Sequence, residues 1–152
     1  NDKVFGGDGD DVISRGLTNY IDAGAGDDLV KLSANLRYGN DGVKLDFLDG
    51  GTGTDTLHFI YHGGANSGGS TPIGDAVVNF EKIIFSTTTS GSYKFNLGSQ
   101  AGSAGESITV EVVQTRGMTA YGIDFTSATD ANIILTGSNG DDNGNNGDEL
   151  RK

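Results

Sequence analysis

Recurrence of one nonapeptide pattern constrains this chain more than any other feature. Gly6-Gly7-Asp8-Gly9-Asp10-Asp11-Val12-Ile13-Ser14 matches G-G-x-G-x-D-x-U-x at every fixed place, U being a large apolar residue. Gly50-Gly51-Thr52-Gly53-Thr54-Asp55-Thr56-Leu57-His58 also matches fully, and Ala23-Gly24-Ala25-Gly26-Asp27-Asp28-Leu29-Val30-Lys31 matches with Ala for the first Gly. The last two begin 27 residues apart, three nonapeptides in phase. Between them, 41–49 keeps Gly42, Asp46 and Leu48 in their slots, while 15–22, one residue short, keeps Gly16 and Ile21. The U places run Val4, Ile13, Ile21, Val30, Leu48 and Leu57, with a gap at Gly39. Units this short fold only by stacking, because none buries its apolar face alone.

Each part of the pattern has a physical use. Gly at places one, two and four admits positive φ and close backbone approach, so a tight turn can aim its carbonyls inward. Asp at place six puts a carboxylate at the turn's end. The U residue two places later shares its face, as period-two alternation requires, and points into a narrow core.

That core is thin. Hydrophobic residues make up only 34% of the 152 residues, and there is no cysteine to add a disulfide or a thiolate metal site. With 26 Gly but one Pro, the chain is rich in turns rather than a proline-rich linker. A bound metal is the remaining staple for so small a core. The net charge of −11 repels nucleic acid phosphates and anionic membranes. Residues 1–60 contribute eleven Asp and no Glu, a short carboxylate suited to a hard divalent cation held near backbone. No run approaches the 18 apolar residues needed to span a membrane.

These residues resemble the calcium-binding nonapeptide arrays of the RTX (repeats-in-toxin) family, secreted by bacteria through type I systems. The resemblance covers 1–58 well and 137–152 loosely, where Gly137-Ser138-Asn139-Gly140-Asp141-Asp142 and Gly147-Asp148-Glu149-Leu150 read as decayed or restarting repeats. It implies an all-β, right-handed parallel β-roll, two nonapeptides to a coil, binding Ca²⁺ between stacked turns. One edge would then carry the turns at 6–11, 23–28 and 41–46, the other those at 15–19 and 50–55. Asp11 and Asp28 would bracket one ion, Asp28 and Asp46 a second. The implied ligand positions are Gly6, Gly7, Gly9, Asp10, Asp11, Gly24, Gly26, Asp27, Asp28, Gly42, Asp46, Gly51, Gly53 and Asp55. Asp2, Asn19, Asp141, Asp142 and Asp148 are weaker matches, and Asn19 is a poor partner for Asp55. The resemblance also implies an extracellular or cell-surface location in a Gram-negative type of bacterium. Repeat-like sequence at both ends gives the expectation of a piece cut from a longer protein.

Residues 59–136 lack the pattern and alternate as strands at 56–61, 77–85, 93–97, 108–112, 121–125 and 133–135. Continuation of the roll as a calcium-free β-solenoid is the favoured expectation, with an inserted β-sandwich as the alternative. Asn79-Phe80-Glu81 followed by Ile83 loosely resembles the linker strands beside RTX blocks.

Other chemistry finds little footing. His58 and His62 are spaced as in zinc helices, but they flank a strand-like stretch and no Cys accompanies them. No G-x-S-x-G elbow or G-K-[ST] loop occurs. The EF-hand-like start at Asp141 fails at Asn146, where Gly is needed, and at Lys152, where Glu is needed. The expectation is therefore a non-enzymatic, calcium-rigidified structural segment of a surface adhesin or S-layer protein, able to self-assemble. The alternatives are a glycan- or peptide-binding module, with Tyr61, Tyr93, Tyr121 and Phe125 as a stacking surface, or an accessory secretion and substrate-binding module of a secreted enzyme.

Overall fold

The computed structural model describes residues 2–15, 20–34, 47–61, 70–72, 77–87, 92–96, 107–114, 120–124, 132–137 and 148–151. Among the described residues every regular element is a strand. In chain order these are β1 (Lys3–Asp8), β2 (Val12–Arg15), β3 (Tyr20–Ala25), β4 (Leu29–Ala34), β5 (Phe47–Asp49), β6 (Thr56–Tyr61) and β7 (Ser70–Pro72). They continue as β8 (Val77–Val78), β9 (Lys82–Thr87), β10 (Ser92–Asn96), β11 (Ser107–Gln114), β12 (Ala120–Asp124), β13 (Asn132–Gly137) and β14 (Asp148–Arg151).

The strands form three sheets: β1-β3-β5-β8, then β2-β4-β6-β9-β11-β13, then β7-β10-β12-β14. Every pairing among them is parallel. Parallel neighbours need a long crossover, and here each crossover carries a strand of another sheet. The chain passes from the first sheet to the second and back, laying each strand beside the one a full circuit earlier. No antiparallel pair occurs among the described residues, and β9, β11 and β13 extend the sheet that β2, β4 and β6 begin.

The apolar U places decide which sheet each strand joins. Val4, Ile21 and Leu48 are register partners in the first sheet, and Ile13, Val30 and Leu57 in the second. Alternation within a strand follows: in β4, Val30 and Leu32 are buried while Leu29 and Lys31 are half-exposed. Buried Ile21, Ala23, Leu48, Val77 and Phe80 meet Ile13, Val30, Leu32, Leu57, Phe59, Ile83, Phe85, Ile108 and Val110 in one cluster between the two sheets. Each fully buried aliphatic side chain contributes roughly 1.5–3 kcal/mol. Phe59 and Phe85 stack with ring centroids 5.7 Å apart.

The circuits differ in length. Val12, Leu29, Thr56, Lys82 and Thr109 are successive register partners, so the steps are 17, 27, 26 and 27 residues. Only the first matches the two-nonapeptide coil. The stretch expected as one strand over 77–85 is two, β8 and β9, because Asn79 takes a positive φ of 57° and turns the chain from the first sheet to the second. Strand β7, outside the strand stretches expected from the sequence, pairs with β10.

Candidate metal centre

The connections β1–β2, β3–β4 and β5–β6 are the turns at 6–11, 23–28 and 50–55, stacked on one edge. They touch backbone to backbone. A Cβ on Gly24 would collide with the Gly7 carbonyl oxygen, and Gly24 has a φ of +109°. A side chain there is excluded twice over, by space and by conformation. Between turns, the Gly9 amide donates to Ala25 O at 2.6 Å, the Gly26 amide to Thr52 O at 2.9 Å and the Thr52 amide to Gly24 O at 2.9 Å.

Two carboxylate ladders run across this stack in opposite senses. At place six, Asp28 Oδ1 accepts the Asp11 amide at 2.7 Å and Asp55 Oδ1 accepts the Asp28 amide at 2.8 Å. Each of these carboxylates reaches back to the turn before its own. At place five, Asp10 Oδ1 accepts the Asp27 amide at 2.9 Å and Asp27 Oδ1 accepts the Thr54 amide at 2.8 Å, reaching forward. Every adjacent pair of turns is thus clasped from both sides by charge-assisted bonds. The place-five residues Asp10 and Asp27 face solvent, whereas Asp28 is 2% and Asp55 0% exposed.

This geometry corrects the expected placement of the turns. Asp55 Oδ1 accepts the Asp28 amide, and the 50–55 turn lies on the edge of 6–11 and 23–28 rather than opposite. The reason is topological. Three nonapeptides separate Ala23 from Gly50, an odd number, so strict alternation would have put their turns on opposite edges. Instead the circuit from Leu29 to Thr56 is 27 residues, against 17 from Val12 to Leu29, and returns the chain to the same edge. Gly42 and Asp46, with Asn19, Asp141 and Asp142, lie outside the described residues. Asp2 precedes β1 and is exposed. Asp148 opens β14 as the register partner of Tyr121, in a different sheet from the turns.

Two participants escaped the sequence reading. Glu81 Oε2 accepts the Asp55 amide at 2.7 Å. Asp49 Oδ1 accepts both the Gly51 amide at 3.0 Å and Asn79 Nδ2 at 2.8 Å. The available signal was the spacing Glu81-x-Ile83, which repeats Asp-x-U with a longer acid.

Asp28 Oδ2 and Asp55 Oδ2 are buried and have no hydrogen-bond partner. An unsatisfied charged oxygen inside a protein is costly, and such atoms call for an explanation. Burial, above all, pushes the Asp55 carboxyl up to about 6; the Asp28 amide pulls it down, while the carboxylates of Asp28, Glu81 and Asp27 push it up further. The oxygens fit a hard divalent ion, which takes six to eight oxygen ligands. Among the described residues no three His, Cys, Asp or Glu side chains gather at one point. Such an ion would draw its other ligands from turn carbonyls and water. The carbonyls already accepting an amide keep a second lone pair.

Elsewhere, His58 Nε2 lies 2.8 Å from Ser86 Oγ, which donates to Phe59 O at 3.4 Å, so the imidazole donates to the hydroxyl. Burial first, then Lys31, lowers the His58 pKa. His62 lies outside the described residues, as do Phe125 and the side chains of Tyr61, Tyr93 and Tyr121. The aromatic ladder that is described is Phe5–Tyr20–Phe47 on the outer face of the first sheet, with centroids 5.7 and 5.5 Å apart and Lys3 Nζ 4.9 Å above Tyr20. Tyr20 and Phe47 stack while Phe5 is tilted against Tyr20, cross-strand contacts that suit a staple.

No helix among the described residues is long and apolar enough to cross a membrane. No family model, no curated protein and no solved structure matches the chain, so its reading rests on the repeat and on the geometry of the stacked turns.

Proposed function

We propose that this chain is a calcium-dependent structural segment of an extracellular bacterial surface protein, an RTX β-roll that continues as a β-solenoid. The observation that carries the reading is the pair of buried, donorless oxygens, Asp28 Oδ2 and Asp55 Oδ2, at place six of consecutive stacked turns. One site lies between the turns at 6–11 and 23–28, held by Asp28 with Asp11. The other lies between 23–28 and 50–55, held by Asp55 with Asp28.

Bound Ca²⁺ supplies the positive charge that two buried carboxylates lack. The chain's own residues do the rest. The glycines let the turns stack, the place-five carboxylates clasp them from outside, and the U residues close a narrow core. Without the cation, Asp28, Asp55 and Glu81 repel one another along a short column. With it, binding free energy becomes folding free energy. Extracellular modules of this kind work at roughly 10⁻⁴–10⁻³ M Ca²⁺, above cytosolic levels, so the segment stays loose inside the cell and stiffens after export.

Circular dichroism with Ca²⁺ titrated against EGTA tests the reading. It requires a cooperative gain of β signal as Ca²⁺ rises. A spectrum already fully β in excess EGTA, and unchanged by millimolar Ca²⁺, would remove it.

A further inference from the structure

We propose that Glu81, which lies outside every match to the nonapeptide pattern, is a positioning residue for the cation held at Asp55, and that residues 79–83 are a disguised fourth turn of the same stack. The inference rests on the calcium reading above.

Four relationships carry it. Glu81 Oε2 takes the Asp55 amide at 2.7 Å, as Asp55 Oδ1 takes the Asp28 amide and Asp28 Oδ1 the Asp11 amide. Two residues before Glu81, Asn79 has a φ of 57° and follows Val78, the register partner of Asp49, so it lies against Gly50 and the chain crosses to the second sheet by a shorter turn than 50–55. Asn is the non-glycine residue that best tolerates this region. Two residues after Glu81, Ile83 is fully buried and pairs with Leu57, as Leu57 pairs with Val30. The segment is also bound to the turn beneath it, for Asn79 Nδ2 donates to Asp49 Oδ1 and the Gly50 amide to Val78 O at 3.1 Å.

Acid and apolar residue have thus been replaced by Glu and Ile at the same spacing, with the same hydrogen bond preserved, behind a turn shortened at Asn79. The column then stops. The residue before Thr109, the register partner of Lys82, is Ile108, 1% exposed, so an apolar side chain follows Glu81 in line. Glu81 is the terminal clasp. By fixing the Asp55 amide it holds the 50–55 turn down from the far side, and keeps the Asp55 carboxylate turned toward Asp28 with Oδ2 unspent.

The test is calorimetric titration of the full chain with Ca²⁺, beside hydrogen exchange at the Asp55 amide, for wild type, Glu81→Ala, Glu81→Gln and Asp55→Asn. Glu81→Ala is expected to weaken by about tenfold the binding step that Asp55→Asn abolishes, the effect of one charge-assisted bond. The other step stays, and the Asp55 amide loses protection in Ca²⁺ and in EGTA. Glu81→Gln, which keeps an acceptor, restores that protection. If Glu81→Ala does not fold, Glu81→Met, with similar bulk and no acceptor, takes its place. Unchanged titration in Glu81→Ala, or equal weakening of both steps, overturns the proposal. Wild type binding no Ca²⁺ overturns the calcium reading together with it, whereas wild-type binding with an indifferent Glu81 variant overturns the clasp alone.

Discussion

Asp55 and Asp28, 27 residues apart, are joined by a 2.8 Å hydrogen bond from the Asp28 amide to Asp55 Oδ1, and both side chains are buried. The bond uses one oxygen of Asp55 and leaves Oδ2 with no donor. A buried carboxylate with one oxygen unsatisfied is costly unless a cation or a proton offsets its charge.

Neutralising that carboxylate should therefore change sign with calcium. In EGTA at pH 7, Asp55→Asn is expected to stabilise the chain by up to about 3 kcal/mol, at about 1.4 kcal/mol per tenfold change in proton affinity. In saturating Ca²⁺ it destabilises, losing roughly 2.7 kcal/mol if the ion is at a hundredfold excess over its Kd. Urea unfolding in the two buffers measures both. The same sign in both would contradict the assignment.

Acidity should act in the same sense on the metal-free chain. The Asp55 carboxyl stands at about 6 in the fold against an ordinary 3.8, chiefly through burial. The folded state then binds its proton more tightly than the unfolded state. That contribution is fully present below pH 3.8 and is lost as pH rises through about 6. In EGTA, the urea midpoint of wild type relative to Asp55→Asn should fall between these limits as pH increases. Saturating Ca²⁺ holds the ionised form and should reverse the slope.

The bond from the Asp28 amide to Asp55 Oδ1 separates two mutants. Asp55→Ala is expected to abolish one calcium step and weaken the other through the Asp28 amide it releases. Asp46→Ala should leave the step shared by Asp28 and Asp55 within about threefold of wild type, as for a residue that takes no part in that step. Calorimetric titration of both variants decides. A larger loss in Asp46→Ala would restore the strict 18-residue stacking.

Stacking of the turns makes their glycines unforgiving. Gly24→Ala puts a methyl against the Gly7 carbonyl at a φ of +109°. A cost of about 1–3 kcal/mol or more follows from the strained backbone alone. Thr52→Ala, at an exposed place-three position, should stay within about 0.5 kcal/mol. Denaturation in Ca²⁺ compares them; equal stabilities would mean the turns do not touch as described.

Much of this was legible in the sequence, for a reason particular to repeats. Val4, Ile13, Ile21, Val30, Leu48 and Leu57 were marked as core by period alone, and they alternate between two parallel sheets as that period demands. Circuit length was not legible, because nine-residue phase says how many units separate two turns but not whether one is spent in a connection. The 50–55 turn was consequently placed on the opposite edge from 23–28. Glu81 and Asn79 were hidden for a different reason. Glu81 replaces a motif acid by a longer one, the turn before it is shortened at Asn79, and a pattern written in residue names and fixed spacing does not register that.

The most direct measurement is a crystal structure of the chain grown at roughly 10⁻³ M Ca²⁺, the working range of extracellular modules. The account predicts an ion bonded to Asp28 Oδ2 and another bonded to Asp55 Oδ2, each at about 2.3–2.6 Å with turn carbonyls completing the shell. The same stacked turns with both oxygens buried and nothing beside them would contradict it.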